Sequence, residues 1–502
     1  MDRAGARAAD SNVHGSTAKV IHHFNEEGLS RDYELQDEVG RGSFGAVRLA
    51  RPRDSGAGSH MAVKIIKKDD NPLERRALLN EVSLLDSLDH PNILRVYACY
   101  DSPTTLAVVM DFCAGGEIFS SEHDAWDEPT ASSLLRQLLG AVAYMHYHGM
   151  VHRDLKPSNI LYASDERKLI KVADFGISKH FQKVSGKCRS RAFGLRSVMT
   201  DCVGTANYWA PEVCHHHIYS QGFTSGYTEK CDIWSVGVVS YVALTGGELP
   251  YPNVNEQGVP EEEMDFAALP VTVSTHADAF LRALLVVDAD ERMSAAQALH
   301  LEFLAAETIP ENLSQWKIPE PTLRQAWEAM QSYIHAGPRR RLAAGFFALH
   351  IRGEVLRQAT VMFTAFGSVD GFISVARLRA ALVQFPDATL DEADEIVETL
   401  SDGDSAVYYL RYLAALCGTD LAMSLDRFDI PRQERVAIHK LERLLSKRRR
   451  DEVLKHLEAF ADLEGTISFA DLATLGDEEP LGSLCSETSA KWNDEQMGSS
   501  VD

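Results

Sequence analysis

An α+β chain is what this sequence predicts: a small β-rich unit, a larger helical unit, and then an all-α tail. Three observations predict it. From Tyr33, short apolar runs (YELQDEVG, AVRLA, HMAVKII) are each bounded by Gly, Pro or Ser, as strands are. Residues 73–89 and 130–148 instead repeat apolar positions at helical spacing, and residues 346–475 also read as mainly helical. A length of 502 residues exceeds one core and implies two or three domains.

In chain order, residues 1–32 are a polar, flexible lead and 33–304 form the β-rich unit plus its helical partner, with RPRDSGAGSH as a hairpin loop between strands. Residues 305–345 are a joint: Pro-rich WKIPEPT precedes Leu323, Trp327, Met330 and Ile334, one apolar helical stripe, and then the basic run Arg339–Arg340–Arg341. Residues 346–475 are the helical tail domain. Residues 476–502 are acidic, with few apolar side chains, and read as disordered.

The formal charge of −23 argues against generic nucleic-acid or anionic-membrane binding, both of which need a basic face. Eight cysteines in so long a chain, without paired CxxC spacing, read as reduced thiols. The opening MDRAGARAAD has no apolar stretch of signal-peptide length, Asp2 stands where myristoylation needs glycine, and no apolar run is long enough to span a bilayer. The expected compartment is the cytosol, with the nucleus as the alternative, and the expected state is a monomer.

Chemistry concentrates between residues 40 and 176. Gly40, Gly42, Gly45 and Val47 form a GxGxxGxV turn between two predicted strands; glycines let backbone N–H groups approach phosphate oxygens, although alone such a turn is as readily a plain hairpin. Lys64 in MAVKII offers a cation for phosphates, and Glu81 on the following helix can pair with it. Then come His152-Arg153-Asp154-Leu155-Lys156-Pro157-Ser158-Asn159, Asp174-Phe175-Gly176 and Ala210-Pro211-Glu212.

With these motifs in order over some 270 residues, the sequence resembles the eukaryotic protein kinases. The resemblance implies a bilobal kinase domain that transfers the γ-phosphoryl group of ATP, with magnesium, to protein hydroxyls. It implies Asp154 as the group accepting the hydroxyl proton, Lys156 as a neutraliser of the γ-phosphate, and Asp174 and Asn159 as magnesium ligands. Lysine at 156 resembles serine/threonine kinases. Ala62, Met110, the hinge Asp111-Phe112-Cys113 and Leu161 match the adenine pocket, Met110 being equally readable as a core residue. Glu117 matches an acid that contacts ribose and a basic substrate residue, Asp232 the anchor of the catalytic loop, and Arg292 the partner of Glu212.

Some positions depart from the family. Ser158 stands where kinases favouring basic substrates often carry Glu. Between Ile177 and Thr200 there are six Lys or Arg and no acid, which reads either as an activation loop awaiting phosphate or an acidic partner, or as a solvated insertion. Thr205 matches a threonine that packs against the catalytic Asp. Cys214-His215-His216-His217 lacks a second ligand pair and reads as a surface loop rather than a metal site.

The tail resembles that of calcium-dependent protein kinases, which carries four EF-hands. Centring the loops on Ile373, Val407, Val436 and Ile467 gives separations of 34, 29 and 31 residues, as paired EF-hands have. The ligands are gone. Loop position 1, which needs a carboxylate, holds Phe366, Leu400, Asp429 and Phe460; position 12, which needs a bidentate Glu, holds Arg377, Arg411, Lys440 and Asp471. Only the fourth loop keeps a partial oxygen set, Asp462, Glu464 and Asp471. The expectation is an active serine/threonine kinase with a calcium-insensitive EF-hand-like tail that can hold a protein partner. The stripe at Trp327 reads as an autoinhibitory helix or as packing for the tail. The alternative function is a non-catalytic, nucleotide-binding scaffold.

Overall fold

The computed structural model describes residues 21–22, 26–42, 45–53, 60–68, 88–119, 125–174, 179–180, 206–213, 227–251, 269, 273–305, 318–336, 341, 344–345, 348, 351, 353–368, 371–417, 435–437 and 466–468. The helix expected around Glu81, Thr205, Cys214–His217, the ligands Asp462, Glu464 and Asp471, the acidic end, and the basic stretch 177–200 apart from Lys179 and His180 lie outside the described residues.

Six strands make the first sheet: β1 (Ile21–His22), β2 (Tyr33–Gly42), β3 (Gly45–Pro52), β4 (Met61–Lys67), β5 (Val96–Asp101) and β6 (Thr105–Asp111), in the order β1-β5-β6-β4-β3-β2. A short helix, α1 (Glu26–Asp32), leads into β2. Alternation buries both faces. Ala107 and Val109 of β6 join Tyr33, Met61 and Val63 on one side, and Leu106 and Val108 join Val96 and Cys99 on the other. The β2–β3 hairpin closes at Gly42 opposite Gly45, where a side chain at Gly45 would lie 2.1 Å from the Ile65 carbonyl. Only glycine allows that approach.

The second unit is helical. Helix α2 (Glu128–Tyr147) starts where the Asp127 carboxylate accepts from the Thr130 N–H at 2.9 Å, with Pro129 inside the first turn where it removes no helical bond. Helix α3 (Lys230–Thr245) is apolar on almost every side and runs through the core, ending at Gly246 in the left-handed region. Helices α4 (Thr275–Leu284), α5 (Ala295–Ala298) and α6 (Glu302–Ala305) complete this core. Two small ladders lie between the units: β7 (Met150–Val151) with β10 (Lys179–His180), and β8 (Ile160–Tyr162) with β9 (Ile170–Val172). They fix the two ends of the segment 152–159.

Beyond residue 318 come α7 (Glu320–Ile334), α8 (Gly353–Ala365), β11 (Phe372–Ser374), α9 (Val375–Leu382), α10 (Leu390–Ser401), β12 (Ala406–Tyr408), α11 (Tyr409–Cys417), β13 (Arg435–Ala437) and β14 (Thr466–Ser468). Ile373 lies opposite Val407, and Val436 opposite Ile467; these are the four residues on which the sequence spacing centres its loops. The stripe of α7 turns into this tail. Met330 and Ile334 are buried in its core, Leu323 packs against it, and the Trp327 ring lies 5.9 Å from that of Phe385. The stripe packs against α10 and α11 of the tail.

Candidate active site and the rear of the hinge

The segment 152–159 is pinned from below by a buried carboxylate. Asp232, at the start of α3, accepts from the backbone N–H of His152 at 2.9 Å and of Arg153 at 2.8 Å, and contacts His146 Nε2 at 2.9 Å. Burial pushes Asp232 towards the neutral acid, but the bond and charge of His146, with His152 and the Arg153 N–H, win and hold it below the ordinary carboxylate value. An ionised Asp232 can hold Arg153 in the left-handed conformation, φ 71°, which a non-glycine residue rarely adopts.

Above that anchor the functional side chains converge. Asp154 Oδ2 meets Lys156 Nζ at 2.8 Å and Asn159 Nδ2 at 2.9 Å, and Asn159 Nδ2 also donates to the Asp154 carbonyl. Those contacts orient the carboxylate and leave the amide oxygen of Asn159 as its acceptor for a cation. Across the cleft, Lys64 of β4 donates to Asp174 Oδ1 at 2.7 Å. Burial pushes the Asp174 carboxyl up, yet Lys64, His152 and Lys156 outweigh it and keep the group ionised below its usual value. Asp174 also has a left-handed φ, 59°. Gly40 and Val47 lie opposite one another in the hairpin above, and Val47 pairs with Lys64, so the glycine turn overhangs the Lys64–Asp174 pair. Ala62 pairs with Met110 on the neighbouring strand, and Leu161 bridges to exposed Glu117. Farther down, Arg292, 1% exposed, grips Glu212 through two bonds of 2.8 and 3.0 Å and lies over the Trp234 ring.

Sequence reasoning passed over a second polar cluster, on the rear of the hinge. Asp111 turns its side chain away from the cleft: Oδ1 accepts from Tyr97 Oη at 2.5 Å, and Oδ2 accepts from the Arg95 N–H at 3.1 Å and faces Lys171 Nζ at 3.3 Å. The Asp111 backbone N–H is likewise engaged, donating to the Arg95 carbonyl at 3.0 Å. Arg95 in turn donates to the Ala348 carbonyl at 3.0 Å, and Tyr97 packs against the tail core. Arg357 of α8 meets Glu166 at 3.3 Å. Gly371, φ 80°, presses on the kinase-side ring of His90, which a Cβ would meet at 2.7 Å. A cavity of about 400 Å³ remains in this seam between Phe112, Cys113, Glu166, Lys171, Arg357 and Thr360. Burial there pushes the Cys113 thiol up to about 12, so it is un-ionised at neutral pH. One signal could have found the cluster: Arg95 and Lys171 each interrupt an apolar strand segment, and a buried cation needs a partner.

Comparison with known sequences matches residues 33–304 to the protein kinase domain. The chain belongs to the protein kinase family. It is 33% identical over 301 residues to myosin light chain kinase A of Dictyostelium discoideum, covering 58% of this chain and 94% of that protein. Over 303 residues it is 33% identical to calcium-dependent protein kinase 4 of Plasmodium falciparum, covering 58% of this chain and 52% of that one. Similarity to CDPK-related kinase 3 of Arabidopsis thaliana runs over 408 residues at 30% identity, 78% of this chain and 63% of that protein. That match is longer than the kinase domain and reaches into the tail.

The kinase is a serine/threonine kinase using ATP and magnesium. Its cleft fits the metal: Asp174 is ionised beside a cation, and Asn159 presents an amide oxygen, both hard donors of the kind magnesium takes. Asp174 and Asn159 would hold the ion, and its chemistry there would be neutralisation of phosphate charge. Lys64 is paired with Asp174, and Lys156 keeps positive charge beside the Asp154 carboxylate.

Proposed function

We propose that this kinase is active towards serine and threonine hydroxyls in proteins, and that its tail is an EF-hand-like brace, docked behind the hinge without calcium. One observation carries the brace: the Arg95 guanidinium, buried beside Asp89 and Asp111, spends a hydrogen bond on the tail's Ala348 carbonyl. A buried cation held partly by the tail ties hinge geometry to tail docking. The burial of Trp327 and Met330 in the tail supports reading α7 as a tie within the brace rather than an inhibitor in the substrate groove. Exposed Glu117 offers a carboxylate to a basic residue on the substrate. The scaffold alternative is disfavoured, since Lys64, Asp154, Asn159 and Asp174 are all present and mutually oriented.

The test is transfer of labelled phosphate to a serine peptide with arginine three residues before the target, and to its alanine counterpart, in calcium and in chelator. Equal activity in both buffers, and an arginine preference that shrinks in Glu117→Gln, are expected. Absence of transfer would leave the scaffold reading; activation by calcium would remove the calcium-free brace.

A further inference from the structure

Two EF-hand-like loops, 366–377 (residues 369 and 370 lie outside the described residues) and 400–411, pair through the β11–β12 ladder, and in both the twelfth position is arginine. In a calcium loop a carboxylate at that position closes the loop over the ion. Here neither arginine swings away. Arg377 Nη1 donates to the Gly367 carbonyl at 2.7 Å. Arg411 Nη1 donates to the Ser401 carbonyl at 3.0 Å, lies 3.4 Å from the Leu400 carbonyl, and meets Asp404 Oδ2 at 3.2 Å. Gly367 and Ser401 occupy the same loop position, ten residues before their arginine in both cases. The arrangement therefore occurs twice, at equivalent places, in segments whose sequences otherwise differ.

We infer that Arg377 and Arg411 are resident cations: each guanidinium fills the ion position of its own loop and joins the loop's two ends, replacing calcium by a covalently attached charge. This rests on the EF-hand-like reading of the tail. Calcium does not fit the loop 400–411, because the Ser401 carbonyl and the Asp404 carboxylate already receive a guanidinium and an added ion would meet its charge. Arg411 is 5% exposed and held by three acceptors, so it is a fixed component of the core rather than a surface charge over the loop. A guanidinium stays charged at every physiological pH and cannot dissociate, so the loop pair has no ion-free state to switch into. The sequence suggested only that the cation repels calcium; the hydrogen bonds of Arg377 and Arg411 to the start of their own loops add the bridging role.

The test is amide hydrogen exchange on the full chain at residues 372–374 and 406–408, for wild type, Arg411→Met, Arg411→Lys and the two corresponding changes at Arg377. Methionine keeps length and packing but removes charge and donors; lysine keeps the charge. Exchange about tenfold faster or more is expected in each methionine variant, with lysine retaining part of the protection and the amides of α2 unchanged. Wild-type exchange rates in the methionine variants would overturn the inference, and so would lysine losing as much protection as methionine. A calcium response arising in the fourth loop would sink the calcium-free brace and leave this inference standing; unchanged ladder exchange in Arg411→Met would do the reverse.

Discussion

The cleft and the tail loops are built from the same ingredients, cations set against loop oxygens, and they do opposite things with them. In the cleft, Lys64 and Asp174 are partners with side chains 13% and 29% exposed, contributed by different lobes. Each is partly open to solvent, and neither belongs to the other's lobe. In the tail, Arg411 is bonded to carbonyls of its own loop and its side chain is 6% exposed. Nothing enters without breaking a buried bond. Exposure and the origin of the partner, rather than charge alone, separate a site that binds from a site already filled. The rear of the hinge lies between these cases: the Arg95 side chain is 11% exposed, and one of its acceptors belongs to the tail.

The comparison breaks first if the cleft is not an exchangeable site. Asp174→Ala should lower transfer by about a thousandfold or more, and Lys64→Met by about a hundredfold or more, in a labelled-phosphate assay with both variants folded. Near-normal turnover in either would mean that the pair is structural. The next largest effect belongs to the tail. Trp327→Ala removes a ring buried against Phe385 and should cost the tail about 3–5 kcal/mol in thermal or urea unfolding, without raising basal activity. A several-fold rise in activity, with the tail still folded, would restore an inhibitory role for α7.

Docking is sharpened by Gly371→Ala. The added methyl would meet His90 at 2.7 Å from a left-handed backbone, so the seam should loosen and the KM for ATP rise about fivefold, with kcat little changed. Wild-type kinetics would show that the hinge does not sense the tail. The smallest effect is on pH. His90 and His152 are both held below the ordinary histidine value, His90 by burial and then by Lys171 and His148, and His152 by burial against the opposing pull of Asp232, the Ala173 carbonyl, Asp154 and Asp174. The folded protein therefore binds fewer protons than the unfolded chain just below about pH 6.5, and stability is lost as pH falls through that range. Each group should contribute up to about 1.4 kcal/mol per pH unit there. Melting between pH 7.5 and 5.5 measures it, and His90→Gln should reduce the slope; an unchanged slope would remove His90 from the account.

Much of the cleft was legible beforehand because its chemistry is local. HRDLKPSN places Asp154, Lys156 and Asn159 within six residues, and one short segment cannot separate them widely. The loop centres were legible too, since period-two strands with apolar middles pair through those middles, as Ile373 does with Val407. The amphipathic stripe of α7 identified a helix and its buried face but not the surface that would bury it, because apolar area is non-directional and fits any groove of matching shape. Only the tertiary structure chose α10 and α11.

By itself, then, the sequence named the candidate side chains for the chemistry, located the strands of the first sheet and the helix within 130–148, and placed arginine at the twelfth position of two tail loops. It could not determine where long cations end their reach. Arg95 crosses some 250 residues of chain to find Ala348, Asp111 turns to Lys171 rather than to the cleft, and Arg377 and Arg411 fold back into their own loops. Flexible side chains with several donors have many partners in principle, and the choice among them is made by which acceptors packing leaves buried and unmet, a property of the folded whole.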